Sequence, residues 1–529
     1  MRTSSSLRRF ATSAALLTFA AGFVGAMAVA VYEIRPFHSG AVAFDSAASV
    51  LYFQRLMSGR QLEALVGATP KPLLTVVFGG LHALVPDWRV IVWATICAYA
   101  TTIGLAAVLA RRLAGIGAAA FVVVALVGST QWLLDVSRGY SVAWAMLGWV
   151  VAALALSAQR PRYGLATVAL LLATLARVET LVLIGVAVVV LAAWDIRARS
   201  GHGAGPPRRA WLIPMALFAL PIMLVHDWRL TGDPLFWLHV SDRFSQAATE
   251  AIAKQGIVKT TRWIIRLFVS MGGFAILSVG GVLWLSTLRR WPIVLGILAA
   301  TAGLAGFLVV LAARGTWVSV RYAIPIELTV LFAAGIGYGI IRVPAIALHR
   351  SADGDTRVSV GAGARSRATA IVLIGALSAA VLWAPVAAPS HADLALIRRE
   401  SLAAARADSV LSVVRGALGS SSDPTTVILL VPSLMRPRMA VDLGIDLTAI
   451  GGLGAGSFAT PASVLGVPGR ILIHDPGAEG PNVSGFNVLE TRDPIIAGVR
   501  LVPLLVDPVH RIWVYQVPAS AASQDQPGS

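Results

Sequence analysis

Cysteine is almost absent, with Cys97 alone among 529 residues. One thiol cannot close an intramolecular disulfide or build a thiolate metal cluster, so both kinds of scaffold are excluded. Cys97 lies inside an apolar run, where it reads as packing. Charge is scarce too: Asp, Glu, Lys and Arg make up 13% of the chain, against 57% hydrophobic residues. Acid is the scarcer sign, 26 residues against 43 Lys plus Arg, and 12 of the 26 acids lie beyond residue 390. A net charge of +17 would point to nucleic acid in a soluble chain. Here the arginines stand in short loops between apolar runs, where they act as topology signals, so a nucleic-acid partner is discarded.

What the chain does have is uncharged runs of about 20 residues, the length a helix needs to cross ~30 Å of hydrocarbon. Eleven spans are expected, at about 11–32, 90–110, 113–134, 139–159, 163–176, 180–194, 210–226, 267–288, 291–313, 322–341 and 368–389. The fold class is an α-helical polytopic membrane protein. Arg2/Arg8/Arg9, Arg111/Arg112, Arg160/Arg162, Arg197/Arg199/Arg208/Arg209, Arg289/Arg290 and the loop from Arg342 to Arg367 all fall on one side if 72–86 does not span. That side should be the cytoplasm. Residues 72–86 are apolar but short and contain His82, which fits an interfacial or re-entrant helix. The first segment has the Arg8-Arg9 and Ala26-Met27-Ala28 pattern of a cleaved signal, but its long apolar stretch favours a retained anchor. Spans 163–176 and 180–194 are short and meet at Arg177-Val178-Glu179, as suits a bundle interior or a water-filled cavity.

Near residue 390 the composition changes. A polar helical pattern over about 392–418 is followed by β-rich runs at Thr426–Val431, Arg470–Ile473 and Arg511–Val517, so 391–529 reads as a small soluble α/β domain. Eleven spans with the N-terminus inside put it outside the cytoplasmic membrane. The run Gly451-Gly452-Leu453-Gly454-Ala455-Gly456 has no Lys-Ser/Thr after it, which argues against a nucleotide loop, and Asn482-Val483-Ser484 matches a glycosylation sequon. Segments 200–209 and 351–367 read as flexible cytoplasmic loops.

The first external loop, 33–89, concentrates polar chemistry. Phe44-Asp45 heads an uncharged run to Gln54 that contains Tyr52; Arg55, Ser58-Gly59-Arg60 and Thr69-Pro70-Lys71-Pro72-Leu73-Leu74 follow. Further external charges are Asp135 and Arg138, Arg177 and Glu179, His226, Asp227 and Arg229, and Arg314 and Arg321. A carboxylate near a hydrocarbon boundary can serve as a general base, while Arg and Lys bind phosphate as a fork and a point charge. An acid with several cations at one interface suits a lipid-phosphate donor. The plainer reading of any one such residue is a solvated or headgroup-touching charge.

Taken in order, Asp45, Tyr52, Gly59 and Lys71-Pro72-Leu73 resemble the first loop of the GT-C glycosyltransferases. These use polyprenyl-phosphate sugars and include protein O-mannosyltransferases and the aminoarabinose transferase of lipid A. Looser echoes are Arg177-Val178-Glu179, Thr231-Gly232-Asp233-Pro234-Leu235, and Arg321-Tyr322 with Pro325, so the resemblance covers roughly residues 1–390. It implies a membrane module at 1–390, with Asp45 deprotonating an acceptor hydroxyl and Lys71, with Arg321, binding the donor phosphate. Asp135, Arg138, Arg177, Glu179, Asp227 and Tyr322 are the secondary candidates. The implied partners are a polyprenyl-phosphate sugar and a lipid, glycan or protein acceptor in a bacterial cell envelope, and the implied transfer inverts the anomeric centre.

The chain departs from the family where a metal would be held. Asp45 has no adjacent acid, Thr69-Pro70 stands before Lys71, and only Asp135 is available at the second loop, so a cofactor-free, metal-independent enzyme is expected. A transporter or lipid flippase is the competing reading, but it calls for inverted repeats and mid-membrane charge. No repeat is visible, and Glu327 lies near a span end. A non-catalytic scaffold or sensor leaves the Asp45 and Lys71 loop unexplained. The arginine asymmetry generates a direct test: reporter fusions within 400–529 should be active only outside the cytoplasm, and a cytoplasmic signal there would overturn the topology and the chemistry together.

Overall fold

The computed structural model describes residues 3–35; 42–350 apart from 65, 67, 202–204, 241, 243–256, 315 and 317–319; and 408–418, 429–432, 436–453, 469–474, 489–508 apart from 497, and 512–518. The expected span 368–389, the loop 351–367, the sequon at Asn482, the second half of the glycine run and most of the polar helix 392–418 lie outside the described residues. The chain divides into two compact units. One comprises Met1–Arg35, Trp93–Ile222 and Gln255–Arg398; the other comprises Pro36–Val92, Met223–Lys254 and Arg399–Ser529.

The first unit is helical. It contains α1 (Thr3–Ile34), most of α4 (Arg89–Val127), α5 (Thr130–Ser137), α6 (Val142–Ser157), α7 (Tyr163–Ala176), α8 (Thr180–Arg199) and a 3₁₀ stretch at Arg208–Phe218. Later helices are Ile257–Ser270, Gly273–Thr287, Trp291–Leu298, Leu304–Ala313 and Ile324–Arg350. Among the described residues, six helical stretches are long and apolar enough to cross a membrane, or eight if two sharply bent pairs each count as one span. The ten expected runs that fall on described residues are helical, but they are not ten straight crossings. Runs 90–110 and 113–134 share α4, which breaks at Gly115 with φ 86° and ψ −175°, a conformation that only glycine adopts without strain. Run 210–226 begins as 3₁₀ helix with Pro214 inside, because that ring removes a donor and blocks α-helical closure behind it. At 14 residues α7 rises only ~21 Å, short of the ~30 Å of a hydrocarbon core.

Between apolar helices in lipid, close backbone approach replaces the hydrophobic effect as the source of cohesion. The contact of Gly273–Thr287 with Ile324–Arg350 has this form. A Cβ on Gly337 would lie 2.1 Å from the Leu277 carbonyl oxygen, and one on Gly281 would lie 2.2 Å from that of Ala333.

The second unit combines loop and tail. It holds α2 (Phe44–Met57), α3 (Pro72–Leu84), part of α9 (Ala219–Thr231), helical residues 408–418, helix Arg436–Leu443 and a five-stranded sheet of order β2-β1-β3-β7-β6. The strands are β1 (Leu429–Pro432), β2 (Ile450–Leu453), β3 (Ile471–His474), β6 (Val502–Asp507) and β7 (Ile512–Gln516), with β4 (Ile495–Ile496) and β5 (Val499–Arg500) as a separate ribbon. β1 runs parallel to β2 and β3, while β7 is antiparallel to β3 and β6. The two-residue period of a strand separates two cores. Leu472, Trp513 and Tyr515 join Leu489 and Leu501 on one face. Ile471, Ile473, Ile512 and Val514 join Val410, Val414 and Met439 on the other.

Ala48, Leu51 and Tyr52 of α2 enter that second core, at the i, i+3, i+4 spacing of one helical stripe. An adjacent stripe of α2 carries Phe53 against α3, where a Cβ on Gly79 would lie 2.1 Å from the Phe53 Cβ. Gly80, one residue on, has open space. Gly79→Ala should therefore destabilise the protein by ~1–3 kcal/mol through overpacking, whereas Gly80→Ala should leave thermal unfolding of the purified protein nearly unchanged. Equal shifts for the two variants would show that the helices do not meet at Gly79.

Candidate functional site

Two polar centres stand out, one in each unit. In the loop-and-tail unit, Asp45 occupies the first turn of α2, where its charge suits the positive end of the helix dipole. Lys71 is the residue before α3; Pro72 at the first helical position holds it in extended backbone, φ −131° and ψ 93°. The two side chains meet as an ion pair, with Lys71 Nζ 3.1 Å from Asp45 Oδ2, while Nζ also donates to the Thr69 carbonyl at 3.5 Å. The side chains retain 17% and 20% of their exposure, so a ligand can reach both. Two helix N-termini converge there, and with the Lys71 ammonium they favour an incoming anion.

Tyr52 fixes the approach to Lys71. Its hydroxyl donates to the Ala68 carbonyl at 2.6 Å. Burial first, and then the fields of Asp45 and Asp227, push its pKa well up, so Tyr52 is a neutral donor rather than a base. Asp227 has both oxygens engaged locally: Oδ2 accepts from the Trp237 backbone N–H at 2.8 Å, and Oδ1 lies 3.0 Å from His226 Nδ1. The string Thr231-Gly232-Asp233-Pro234-Leu235 closes α9. Gly232 has φ 77°, and Asp233 Oδ1 accepts from the Leu235 N–H at 2.9 Å.

The second centre lies in the helical unit. Arg177 ends α7 and Glu179 precedes α8; the guanidinium donates to both carboxylate oxygens, at 2.7 Å from Nη2 and 3.3 Å from Nε, and both residues are buried. Burial opposes the Arg177 charge, but Glu179, with the fields of Asp135 and Tyr322, outweighs it and raises the pKa. Arg177 lies over the Tyr322 ring at 5.4 Å and Arg321 over the Tyr140 ring at 4.3 Å. Asp135 is buried within α5, and Arg138 caps the C-terminus of that helix.

Of the residues singled out in the sequence, Asp45 and Lys71 are thus in direct contact. Arg177, Glu179, Asp135 and Tyr322 share one electrostatic neighbourhood, and Arg321 stands beside Tyr140. Sequence reasoning missed Tyr140, although an aromatic two residues after Arg138 was available as a cation–π partner. It also missed Ser129, whose hydroxyl donates to Glu327 Oε1 at 2.9 Å. Among the described residues, no group of three or more His, Cys, Asp or Glu side chains is placed to hold a metal ion.

A further cluster ties the far end of α3 to the tail. Trp88 Nε1 donates to both oxygens of Asp442, at 2.9 and 3.1 Å, and Asp442 also accepts from Arg438 Nε at 3.2 Å. The His82 ring lies 4.4 Å from that of Trp88, and burial lowers its pKa, so it is neutral there. Trp88→Phe removes the shared N–H and leaves a charged acceptor short of a donor. It should cost ~1.5–3 kcal/mol, read as a lower unfolding temperature of the purified protein. An unchanged melt would show that the contact holds nothing.

No family model matches the chain, and no curated protein matches it. Among solved structures, it is similar to the crystal structure of ArnT from Cupriavidus metallidurans in the apo state, with 15% identity, a TM-score of 0.47 and coverage of 98% of this chain and 99% of that one. It is also similar to the crystal structure of the same protein bound to undecaprenyl phosphate, with 14% identity, a TM-score of 0.41 and coverage of 98% and 99%.

Proposed function

We propose that the protein is a GT-C-type glycosyltransferase that moves a sugar from a polyprenyl-phosphate donor to an acceptor hydroxyl at the external face of the cytoplasmic membrane. The observation that carries the reading is the 3.1 Å contact of Lys71 with Asp45. These are the two residues that the sequence resemblance gives to phosphate and to base, and they meet where two helices begin. In this scheme the acceptor oxygen attacks the anomeric carbon, its proton passes to the Asp45 carboxylate, and the bond from that carbon to the phosphate oxygen breaks. Single displacement inverts the centre. The departing polyprenyl phosphate takes up the negative charge, which Lys71 stabilises. An ammonium has three donors, so Lys71 can hold Asp45 and still meet a phosphate. Arg321 is proposed as a second phosphate contact, and the acceptor is a lipid, glycan or protein.

One observation favours a second reading. The buried Arg177–Glu179 pair is the kind of charge that lines a substrate path in a transporter or lipid flippase. Detergent-solubilised protein separates the two, since without compartments only a transferase makes product from labelled polyprenyl-phosphate sugar. In that assay Asp45→Asn should lower transfer by ~10²–10⁴-fold, the scale of general-base assistance, with donor binding kept. Lys71→Ala should instead weaken donor binding. Near-normal transfer by Asp45→Asn would remove Asp45 as the base, and product formation by no variant, wild type included, would favour transport.

A further inference from the structure

Helix Ile257–Ser270 takes part in neither polar centre, yet it carries three cations. Lys259, Arg262 and Arg266 are spaced i, i+3, i+7, which places them on one stripe, and all three are exposed. Residues 257–270 contain no Asp or Glu, and among the described residues no acid pairs with the three cations. A neighbouring stripe is apolar and equally open: Val258, Ile265 and Val269 are 69%, 56% and 71% exposed. Thr260 and Ile264, on the remaining face, are buried against the unit. One helix therefore shows an attached face, an open apolar face and an open basic face.

Its orientation follows from the break that ends it. Gly272 has φ 43°, and the axis turns by 84° into Gly273–Thr287. If Gly273–Thr287 stands along the bilayer normal, the 84° turn lays Ile257–Ser270 along the bilayer surface. The arginine asymmetry puts the cation-rich topology loops on the opposite side, so these three cations are not explained as topology signals. An apolar stripe beside a basic stripe on a surface-parallel helix matches the boundary between acyl chains and phosphates.

We propose that Ile257–Ser270 binds the headgroups of anionic phospholipids, with Lys259, Arg262 and Arg266 on the phosphates and Val258, Ile265 and Val269 among the upper acyl carbons. The test uses the full chain in mixed micelles and measures retention of phosphatidylglycerol against phosphatidylcholine. Wild type should prefer phosphatidylglycerol, and the variant Lys259→Gln/Arg262→Gln/Arg266→Gln should lose that preference by a factor on the order of 10². Arg262→Gln alone should give a proportionate part of the loss, while Arg289→Gln/Arg290→Gln should keep the preference. The proposal fails if the triple variant and the single variant both retain wild-type preference, or if wild type has none. It fails as well if millimolar inorganic phosphate displaces the lipid, since that would mark a site for free phosphate. Because lipid retention is read without a sugar donor, failure here leaves the transferase reading standing, and loss of transfer in Asp45→Asn leaves this one standing.

Discussion

The contact of Phe53 with Gly79 fixes how α2 and α3 lie against one another, and the candidate site depends on that placement. Phe53 is eight residues beyond Asp45, and Gly79 is eight residues beyond Lys71. Two contacts at equal spacing mean that the helices run side by side in the same direction, each advancing ~12 Å between them. Both N-termini therefore arrive together at the ion pair. If the helices ran in opposite senses, Lys71 would face the C-terminal end of α2, where the dipole repels a phosphate. A side chain at position 79 would push the axes apart and lengthen the contact between Asp45 and Lys71.

The helical unit solves a different problem. A buried guanidinium is tolerated only when its donors and its charge are met, and breaking such a pair leaves an uncompensated ion. Arg177 satisfies the condition through a two-point contact with Glu179, across the turn between α7 and α8. The rings of Tyr322 and Tyr140 then face cations with their negative π-surfaces. Such an arrangement is rigid because each partner has few alternatives. It gives the short helix α7 a reason to end, and α8 a reason to begin, where they do; α8 itself, at 20 residues, is longer than the expected run 180–194.

Much of this was legible in the sequence, for identifiable reasons. Uncharged runs report helices because hydrocarbon admits little else, and the run at 163–176 coincides with α7 residue for residue. Asp45 and Lys71 come together as candidates because both stand in the first external loop, in the order that resembles the GT-C first-loop pattern. What escaped the reading depends on contacts that no local pattern encodes. Hydropathy cannot see the break at Gly115, since it leaves the run apolar. Nor could it foresee that Trp88 meets Asp442, 354 residues away. The joint core of loop and tail was hidden for the same reason: Leu51 and Ile473 are each ordinary members of their own stripe, and only the fold brings the stripes together.

That joint core changes what the tail is for. A composition boundary near residue 390 suggests an appended domain, yet α2 lays Ala48, Leu51 and Tyr52 into the apolar layer that covers one face of the sheet. Tyr52 is also the residue whose hydroxyl anchors Ala68, three residues before Lys71. The tail therefore supports one side of α2 while α3 supports the other. Without the sheet, the stripe of α2 that it covers would be exposed to water, and Tyr52 would lose part of the core that encloses it. The geometry of Asp45 and Lys71 is thus supported by residues more than 300 positions away in sequence, Asp442 where it meets Trp88 beyond the end of α3 and the sheet core beneath α2.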